Sequence, residues 1–242
     1  RDQRFFFFFF QDHPRDVHSL QLNQVVDAFL STFQGAPNDT ILVASSNAKV
    51  KEYNDMIRSR LFPGADAPCA GDRLLVTHNN YSHDIELFNG DIGLVVSVSD
   101  TPIIRTYALK RNVGKKTESV MVKLTFRRVN IRFDSMDGPH EISTMMLENL
   151  LTSSERDLSS DEMRALYIDF KARNRTLQAG TAEFLKALRA DPYFNALRVK
   201  YAYALTCHKA QGGEWPRVIV DFSAQGGKLN RDFFRWAYTA IT

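Results

Sequence analysis

The sequence is poor in cysteine, has no long apolar run and lacks a phosphate-binding loop. Its two cysteines, Cys69 and Cys207, are far apart and have no metal-type spacing, so no zinc site is expected. We expect two free thiols in a reducing cytoplasm, and a disulfide between them is the alternative. No run of about 18 apolar residues occurs, so we expect no membrane span. The pattern G-x-x-x-x-G-K-S/T is also absent, which excludes that loop from this chain.

The composition is typical of a globular protein, with 44% hydrophobic and 24% charged residues. The net charge of +3 is small, but residues 100–134 contain nine lysines and arginines against three acids. This local excess suits a polyanionic partner, and a solvated charged sheet face is an equally good interpretation. The run Phe5–Phe10 is interpreted as a buried strand or as an irregular start of the chain.

The first 65 residues have the pattern of an α/β domain. Apolar residues recur at helical spacing from Leu20 to Phe33, and the apolar run Thr40–Ala44 predicts a buried strand. Ser45-Ser46-Asn47 can cap a second helix, which Pro63-Gly64 would end. Helices and short buried strands that alternate in this way are typical of a parallel sheet.

The same pattern returns in residues 198–242. Val199–Leu205 and Val218–Val220 are predicted strands, and the apolar residues from Leu229 to Ile241 predict an amphipathic helix. The intervening residues therefore interrupt one α/β domain.

Residues 66–197 are predicted to form a β-rich insertion. Residues 120–133 alternate between apolar and polar side chains, and the alternation changes phase after Arg128. A bulge at Arg127-Arg128 would keep one basic face throughout. Short strands separated by turns predict a small barrel followed by two helices. The strands with clear patterns are 73–77 and 92–98, and the helices are near 160–173 and 180–190.

The most informative string is Tyr203–Trp215, in which a strand is followed by Thr, His and Lys and then by Gln-Gly-Gly-Glu. Ligands of α/β sheets bind outside the carboxyl ends of the strands, where these residues would lie. Gly212 and Gly213 permit a close backbone approach to a phosphate, and Thr206 and Lys209 can contact its oxygens. On spacing alone, an anion site and a glycine-rich turn with a solvated lysine are equally good interpretations.

This string resembles motif V of superfamily 1 DNA helicases of the bacterial RecD-like, UvrD C-terminal type, whose core is T-x-H-K-x-Q-G-x-E. Three further segments resemble the family in the same order, namely its strand–Asn–helix segment, the start of its inserted domain and the opening of motif VI. They are Ile41–Asn47 with Tyr53-Asn54 and Ile57-Arg58, Gly71–Val76 with Asn79–Tyr81 and Phe88–Gly93, and Trp236–Thr242. These matches cover most of the chain outside residues 100–195.

The resemblance implies a fold and a division into domains. Segments 1–65 and 198–242 would form the second RecA-like domain of a helicase, with a parallel sheet. Residues 66–197 would form an inserted, small Src-homology-like barrel with extra helices. The protein as a whole would be an ATP-dependent DNA helicase.

The resemblance also implies site residues. Contacts to single-stranded DNA are expected from Asn47, Thr206, His208 and Lys209, and in the insertion from Asn79, Asn80, Tyr81 and Asn89. The basic face with Lys123, Arg127, Arg128 and Arg132 would lie beside the path of the strand. Gln211, Gly212, Glu214 and Tyr238 would face the ATP cleft. Alternatively, the insertion asparagines form turns, Tyr81 covers the barrel end, and Tyr238, Trp215 and Trp236 belong to the core.

The expected partners are single-stranded DNA and an N-terminal RecA-like ATPase domain of the same protein. ATP and Mg²⁺ would act in the full-length protein, and we expect neither to bind tightly to this fragment, which would contain no catalytic residue and no metal ligand. The arginine of motif VI would follow Thr242 and lie outside the chain. Two alternatives remain: a stand-alone single-stranded nucleic-acid-binding module without ATPase activity, and an RNA-directed helicase.

Overall fold

The computed structural model describes residues 20–33, 40–83, 85–113, 116–135, 137–223 and 230–241. The predicted strand at Phe5–Phe10 lies outside these residues. The chain divides into two compact units, a first unit of residues 1–64 and 203–242 and a second unit of residues 65–202. The assignment of 1–65 with 198–242 and of 66–197 as functional domains stays a prediction.

The first unit is an α/β structure. Its elements, numbered along the whole chain, are α1 (Val25–Phe33), β1 (Thr40–Ala44), α2 (Asn47–Leu61), β8 (Ala204–Thr206), α5 (Cys207–Ala210), β9 (Arg217–Val220) and α6 (Arg231–Ile241). The strands form a parallel sheet in the order β8-β1-β9. This confirms the predicted parallel α/β pattern, and it is compatible with a RecA-like fold.

The predicted cap of α2 is present. The Ser46 side chain accepts a hydrogen bond from the Lys49 N–H at 3.3 Å, and the helix begins at Asn47. Beside it, β1 is buried along its whole length. Phe29 and Phe33 of α1 pack against the Tyr203 ring, with centroids 6.4 and 5.8 Å away. Full burial of one such ring stabilises the fold by about 1.5–3 kcal/mol, so these contacts fix α1 against β8.

The prediction of one strand over Val199–Leu205 is wrong. The chain forms β7 (Leu197–Tyr201) in the sheet of the second unit and β8 in the sheet of the first unit. Residues 201–205 are all buried, so no alternation marks the point at which the chain leaves one sheet for the other.

The second unit is β-rich, as predicted. Its elements are β2 (Arg73–Val76), β3 (Ile92–Val98), β4 (Ile103–Val113), β5 (Lys116–Ser135), β6 (Gly138–Leu147), α3 (Ser160–Arg173), α4 (Ala182–Ala190) and β7. Strands pair in the order β3-β2-β7-β6-β5-β4, and an additional β3–β5 pairing closes a circuit of five strands. The absence of a side chain at Gly93 permits this closure. A Cβ at that position would lie 2.4 Å from a methyl carbon of Ile131 and would clash with it.

The long strand β5 buries opposite faces along its length. Val122, Leu124 and Phe126 belong to a core that includes Leu166 of α3, whereas Ile131 and Phe133 lie on the other face of the strand. The pairing of β5 with β6 continues through residues 126–128 without a shift. The prediction of a bulge at Arg127-Arg128 is therefore wrong. The register is continuous there, and the pattern changes because the buried apolar side chains lie on one face of β5 up to Phe126 and on the opposite face from Val129 onward.

The two predicted helices of the insertion are confirmed as α3 and α4. Ser159 caps α3, and it forms a capping box with Glu162. Thr181 caps α4 by accepting a hydrogen bond from the Phe184 N–H at 3.2 Å. No helix in the described part of the chain is long and apolar enough to cross a bilayer.

Candidate functional site

The parallel pairing of β1 and β8 brings the two predicted segments of the first unit together. Ala44 and Thr206 are register partners at the carboxyl ends of these strands. Asn47 follows β1 by three residues, and His208 follows β8 by two. Because parallel strands end on the same side of a sheet, Asn47, Thr206 and His208 lie at one end, here called the carboxyl end of the sheet.

The side chains at this end are available for a ligand. Asn47 and His208 are exposed, and Thr206 is half-buried. The Thr206 hydroxyl does not cap α5, and within the described residues neither Thr206 nor His208 makes a side-chain hydrogen bond. Cys207 between them is buried, and burial raises the pKa of its thiol. This end of the sheet therefore presents a hydroxyl, an imidazole and an amide, which suit hydrogen bonds to a phosphate backbone.

The loop after α5 presents the residues predicted for the ATP cleft. Gln211, Gly212 and Glu214 are exposed. Gly212 has φ of 86°, a left-handed conformation that favours glycine. The following Gly213 lies under the Trp215 ring, and a Cβ there would come within 2.2 Å of a ring carbon. The loop therefore favours glycine at both positions for different reasons: Gly212 because of its backbone conformation, and Gly213 because of the Trp215 ring beside it.

Two positioning residues in the first unit were not identified as such from the sequence. Asn54 of α2 is buried, and its Oδ1 accepts hydrogen bonds from the N–H groups of Tyr203 and Ala204 at 2.9 and 2.8 Å. Asp221 directly follows β9 and accepts a hydrogen bond from the Tyr53 hydroxyl at 2.8 Å. Burial, with Asp221 beside it, raises the pKa of Tyr53. The sequence contained one signal for these residues. Tyr53 and Asn54 are a polar pair on the face of a helix that must pack against buried strands, so their polar groups would need buried partners.

The terminal helix α6 carries the last predicted cleft residue. Tyr238 is 70% exposed, so it does not belong to the core of the first unit. Trp236 is half-buried against Phe222 and Phe233, with ring centroids 5.8 and 6.3 Å away. Trp215 is also half-buried, and the core interpretation therefore fits both tryptophans only in part.

In the second unit, the predicted asparagines brace a turn. Asn80 is buried and its Nδ2 donates to the Asn195 carbonyl at 2.8 Å. Asn79 accepts a hydrogen bond from the Asn89 N–H at 2.8 Å and donates to the Tyr81 hydroxyl at 2.9 Å. The Tyr81 side chain is 62% exposed. These asparagines hold the turn, and of the predicted set Asn79, Tyr81 and Asn89 are exposed whereas Asn80 is buried.

The four basic residues of β5 do not share one face. Lys123 and Arg127 lie on one face of the strand, and Arg128 and Arg132 lie on the other. Arg127 is buried, where it forms an ion pair with Glu148 and donates to the Ser99 and Asp100 carbonyls at 2.7 Å. The predicted contact of Arg127 with DNA is therefore corrected to a structural role. Lys123, Arg128 and Arg132 are exposed.

Within the described ranges, no group of three histidine, cysteine or acidic side chains is arranged to hold a metal ion. Cys69 and Cys207 carry thiols and do not form a disulfide.

Comparison with known families matches the last part of the chain, which includes Thr206 and His208 but not Asn47. Residues 201–242 match the family model of the UvrD-like helicase C-terminal domain. No curated protein sequence matches the chain significantly. The matched segment begins before β8 and includes Thr206, His208, the loop after α5 and α6.

Proposed function

We propose that this chain, whose residues 201–242 match the family model of the UvrD-like helicase C-terminal domain, is the second RecA-like half of an ATP-dependent DNA helicase of superfamily 1. In this proposal the carboxyl end of the sheet holds the backbone of single-stranded DNA. The inserted unit corresponds to the family's Src-homology-like barrel, and its circuit of five paired strands supports that assignment.

The observation that carries the proposal is the Ala44–Thr206 register. It places two segments that are about 160 residues apart in sequence on one surface, and both resemble DNA-contacting segments of the family. Thr206 and His208 can donate hydrogen bonds to phosphate oxygens, and Asn47 can add an amide donor. Such contacts hold a strand without selecting a sequence.

We propose further that Gln211, Gly212, Glu214 and Tyr238 form one wall of an ATP cleft. All four are exposed, and the loop backbone at Gly212 is open, so these residues fit the edge of a nucleotide. They do not form a metal site, so Mg²⁺ and the phosphates would be held by an N-terminal RecA-like domain of the same protein. Bound ATP would supply the free energy that favours closure of the two domains, while this chain holds the strand.

A test of this proposal is the binding of a fluorescein-labelled oligothymidylate to the 242-residue chain, measured by anisotropy. His208→Ala and Thr206→Ala should each weaken binding by about tenfold, the value of one phosphate hydrogen bond. Arg60→Ala is the control, because Arg60 is paired with Asp27 and lies 13 residues after Asn47, near the other end of α2. Unchanged binding in both site variants would contradict the placement of the DNA.

The RNA-directed alternative is tested with matched oligouridylate. Motif V residues contact the backbone, whereas discrimination requires a contact to the 2′-hydroxyl. Tighter binding of oligouridylate would favour the RNA-directed helicase. A stand-alone binding module would bind a strand in the same way, but its full-length protein would show no strand-stimulated ATP hydrolysis.

A further inference from the structure

An open groove in the second unit lies between the turn at Tyr81 and helix α4. Its volume is about 640 Å³, which is enough for one nucleotide. Tyr81, Ser82 and His83 line one side, and Leu185, Lys186 and Arg189 of α4 line the other. The groove thus combines an aromatic ring with two cationic side chains.

The Tyr81 ring is held in place although it is exposed. Its hydroxyl accepts the hydrogen bond from Asn79 already described, and the Phe88 ring packs edge-to-face with it at a centroid distance of 6.4 Å. Asn79 is fixed in turn by the Asn89 N–H. An exposed ring with two fixed neighbours loses little conformational entropy on binding, which suits it to stacking.

The two cations of the groove differ from most arginines of the same unit. Arg105, Arg127 and Arg173 form ion pairs with buried or half-buried carboxylates. Lys186 and Arg189 are exposed, and within the described part of the chain their side chains form no ion pair and no hydrogen bond. They lie three residues apart on α4, so they are neighbours on one helix face. Two unpaired cations beside a groove favour an anionic ligand.

We propose that this groove binds one nucleotide of single-stranded DNA, with the base stacked on Tyr81 and a phosphate held by Lys186 and Arg189. The inference rests on the proposed function and adds a contact in the helical part of the insertion. A base in a duplex is already stacked on both faces and cannot reach the ring, so the groove selects single strands. An acidic peptide would use the cations but would not need the ring.

The experiment compares oligothymidylate binding by the 242-residue chain and its groove variants. Lys186→Ala/Arg189→Ala should weaken binding by about tenfold and reduce the salt slope by about 0.7, the value for the one phosphate contact that is lost. Lys171→Ala/Arg175→Ala removes the same charge from exposed sites near the end of α3 that do not line the groove, and it should bind like wild type.

Stacking is tested with an oligonucleotide that contains 2-aminopurine, whose fluorescence falls when it stacks. Tyr81→Ala should abolish this quenching and weaken binding by about tenfold, whereas Tyr81→Phe should retain both, because it keeps the ring. Retention of quenching in Tyr81→Ala would overturn the stacking role.

The outcomes separate the groove from the carboxyl end of the sheet. If His208→Ala weakens binding and the groove variants do not, the groove proposal fails and the proposed function stands. If wild type binds no single strand, both fail. If polyglutamate binds in a manner that depends on Lys186 and Arg189 while DNA binding is unaffected, the groove is a peptide site and this proposal is overturned.

Discussion

Asn54 and Ala204 exchange two hydrogen bonds, as two paired strand residues would. The Asn54 Nδ2 donates to the Ala204 carbonyl at 3.2 Å, and its Oδ1 accepts from the Ala204 N–H at 2.8 Å. The same oxygen accepts from the Tyr203 N–H. The Asn54 side chain of α2 therefore provides hydrogen-bond partners for the backbone of Tyr203 and Ala204, at the start of β8. These bonds fix α2 to the segment that is predicted to bind DNA.

Asn54→Ala should destabilise the first unit by about 2–4 kcal/mol. The substitution leaves buried backbone groups of Tyr203 and Ala204 without these hydrogen bonds, and each such group costs about 1–3 kcal/mol. Urea unfolding followed by circular dichroism measures the loss. Ser59→Ala is the control, because Ser59 is exposed on the same helix and bonds only to the local Met56 carbonyl. Equal stabilities of the two variants would contradict the role of Asn54.

Asp169→Ala should destabilise the second unit by about 3–5 kcal/mol, because it leaves Arg105 without its buried partner and Arg173 with Asp191 alone. The Asp169 carboxylate is fully buried and accepts hydrogen bonds from Arg105 of β4 at 2.8 Å and from Arg173 at 2.9 Å. Thermal unfolding measures this effect. Asp161→Ala on the same helix, whose pairs with Arg111 and Arg164 are more exposed, should cost about 1 kcal/mol or less. Similar losses in both variants would contradict the prediction.

Tyr107 makes the stability of the second unit sensitive to alkaline pH. Burial, and a hydrogen bond to Asp169, raise the pKa of Tyr107 to about 12. The folded state therefore retains a proton that the unfolded state releases, and the stability contribution of Tyr107 is lost as pH rises from about 10 to about 12. Tyr107→Phe should remove this component of the pH dependence. An identical fall in stability in wild type and Tyr107→Phe would contradict the assignment.

The two glycines of the loop after α5 should respond differently to alanine. Gly212→Ala places a side chain at φ of 86°, where the surrounding space is open, and should cost about 1–2 kcal/mol in backbone strain. Gly213→Ala instead collides with the Trp215 ring, which must move. Tryptophan emission should therefore shift to longer wavelength in Gly213→Ala and remain unchanged in Gly212→Ala. A shift in Gly212→Ala alone would contradict this distinction.

The parts of the fold that could be predicted have strong local signals. Thr40–Ala44 is a short apolar run, and α3 begins at a Ser–Glu capping box, so both elements were located correctly. Strand β4 was not predicted, because Arg105 and Tyr107 on its inner face are polar. These side chains can lie on the inner face only because the Asp169 carboxylate of α3 accepts hydrogen bonds from both of them. A partner 62 residues away leaves no pattern in the strand itself.

Tertiary structure also decided the role of particular cations. Arg127 and Arg128 are adjacent and chemically identical. Arg127 is nevertheless buried in an ion pair with Glu148, whereas Arg128 is exposed. Lys186 and Arg189 gave no signal in the sequence, because a groove exists only once α4 packs near the turn of Tyr81.

The sequence by itself determined the α/β pattern, the β-rich insertion and the string Thr206–Glu214, since these depend on local periodicity and on residue types at fixed spacing. Only the tertiary structure decided that Ala44 and Thr206 end side by side, that β7 and β8 belong to different sheets, and that β5 buries opposite faces. These features depend on which distant segments exclude water together, and burial of that kind is a property of the folded chain as a whole.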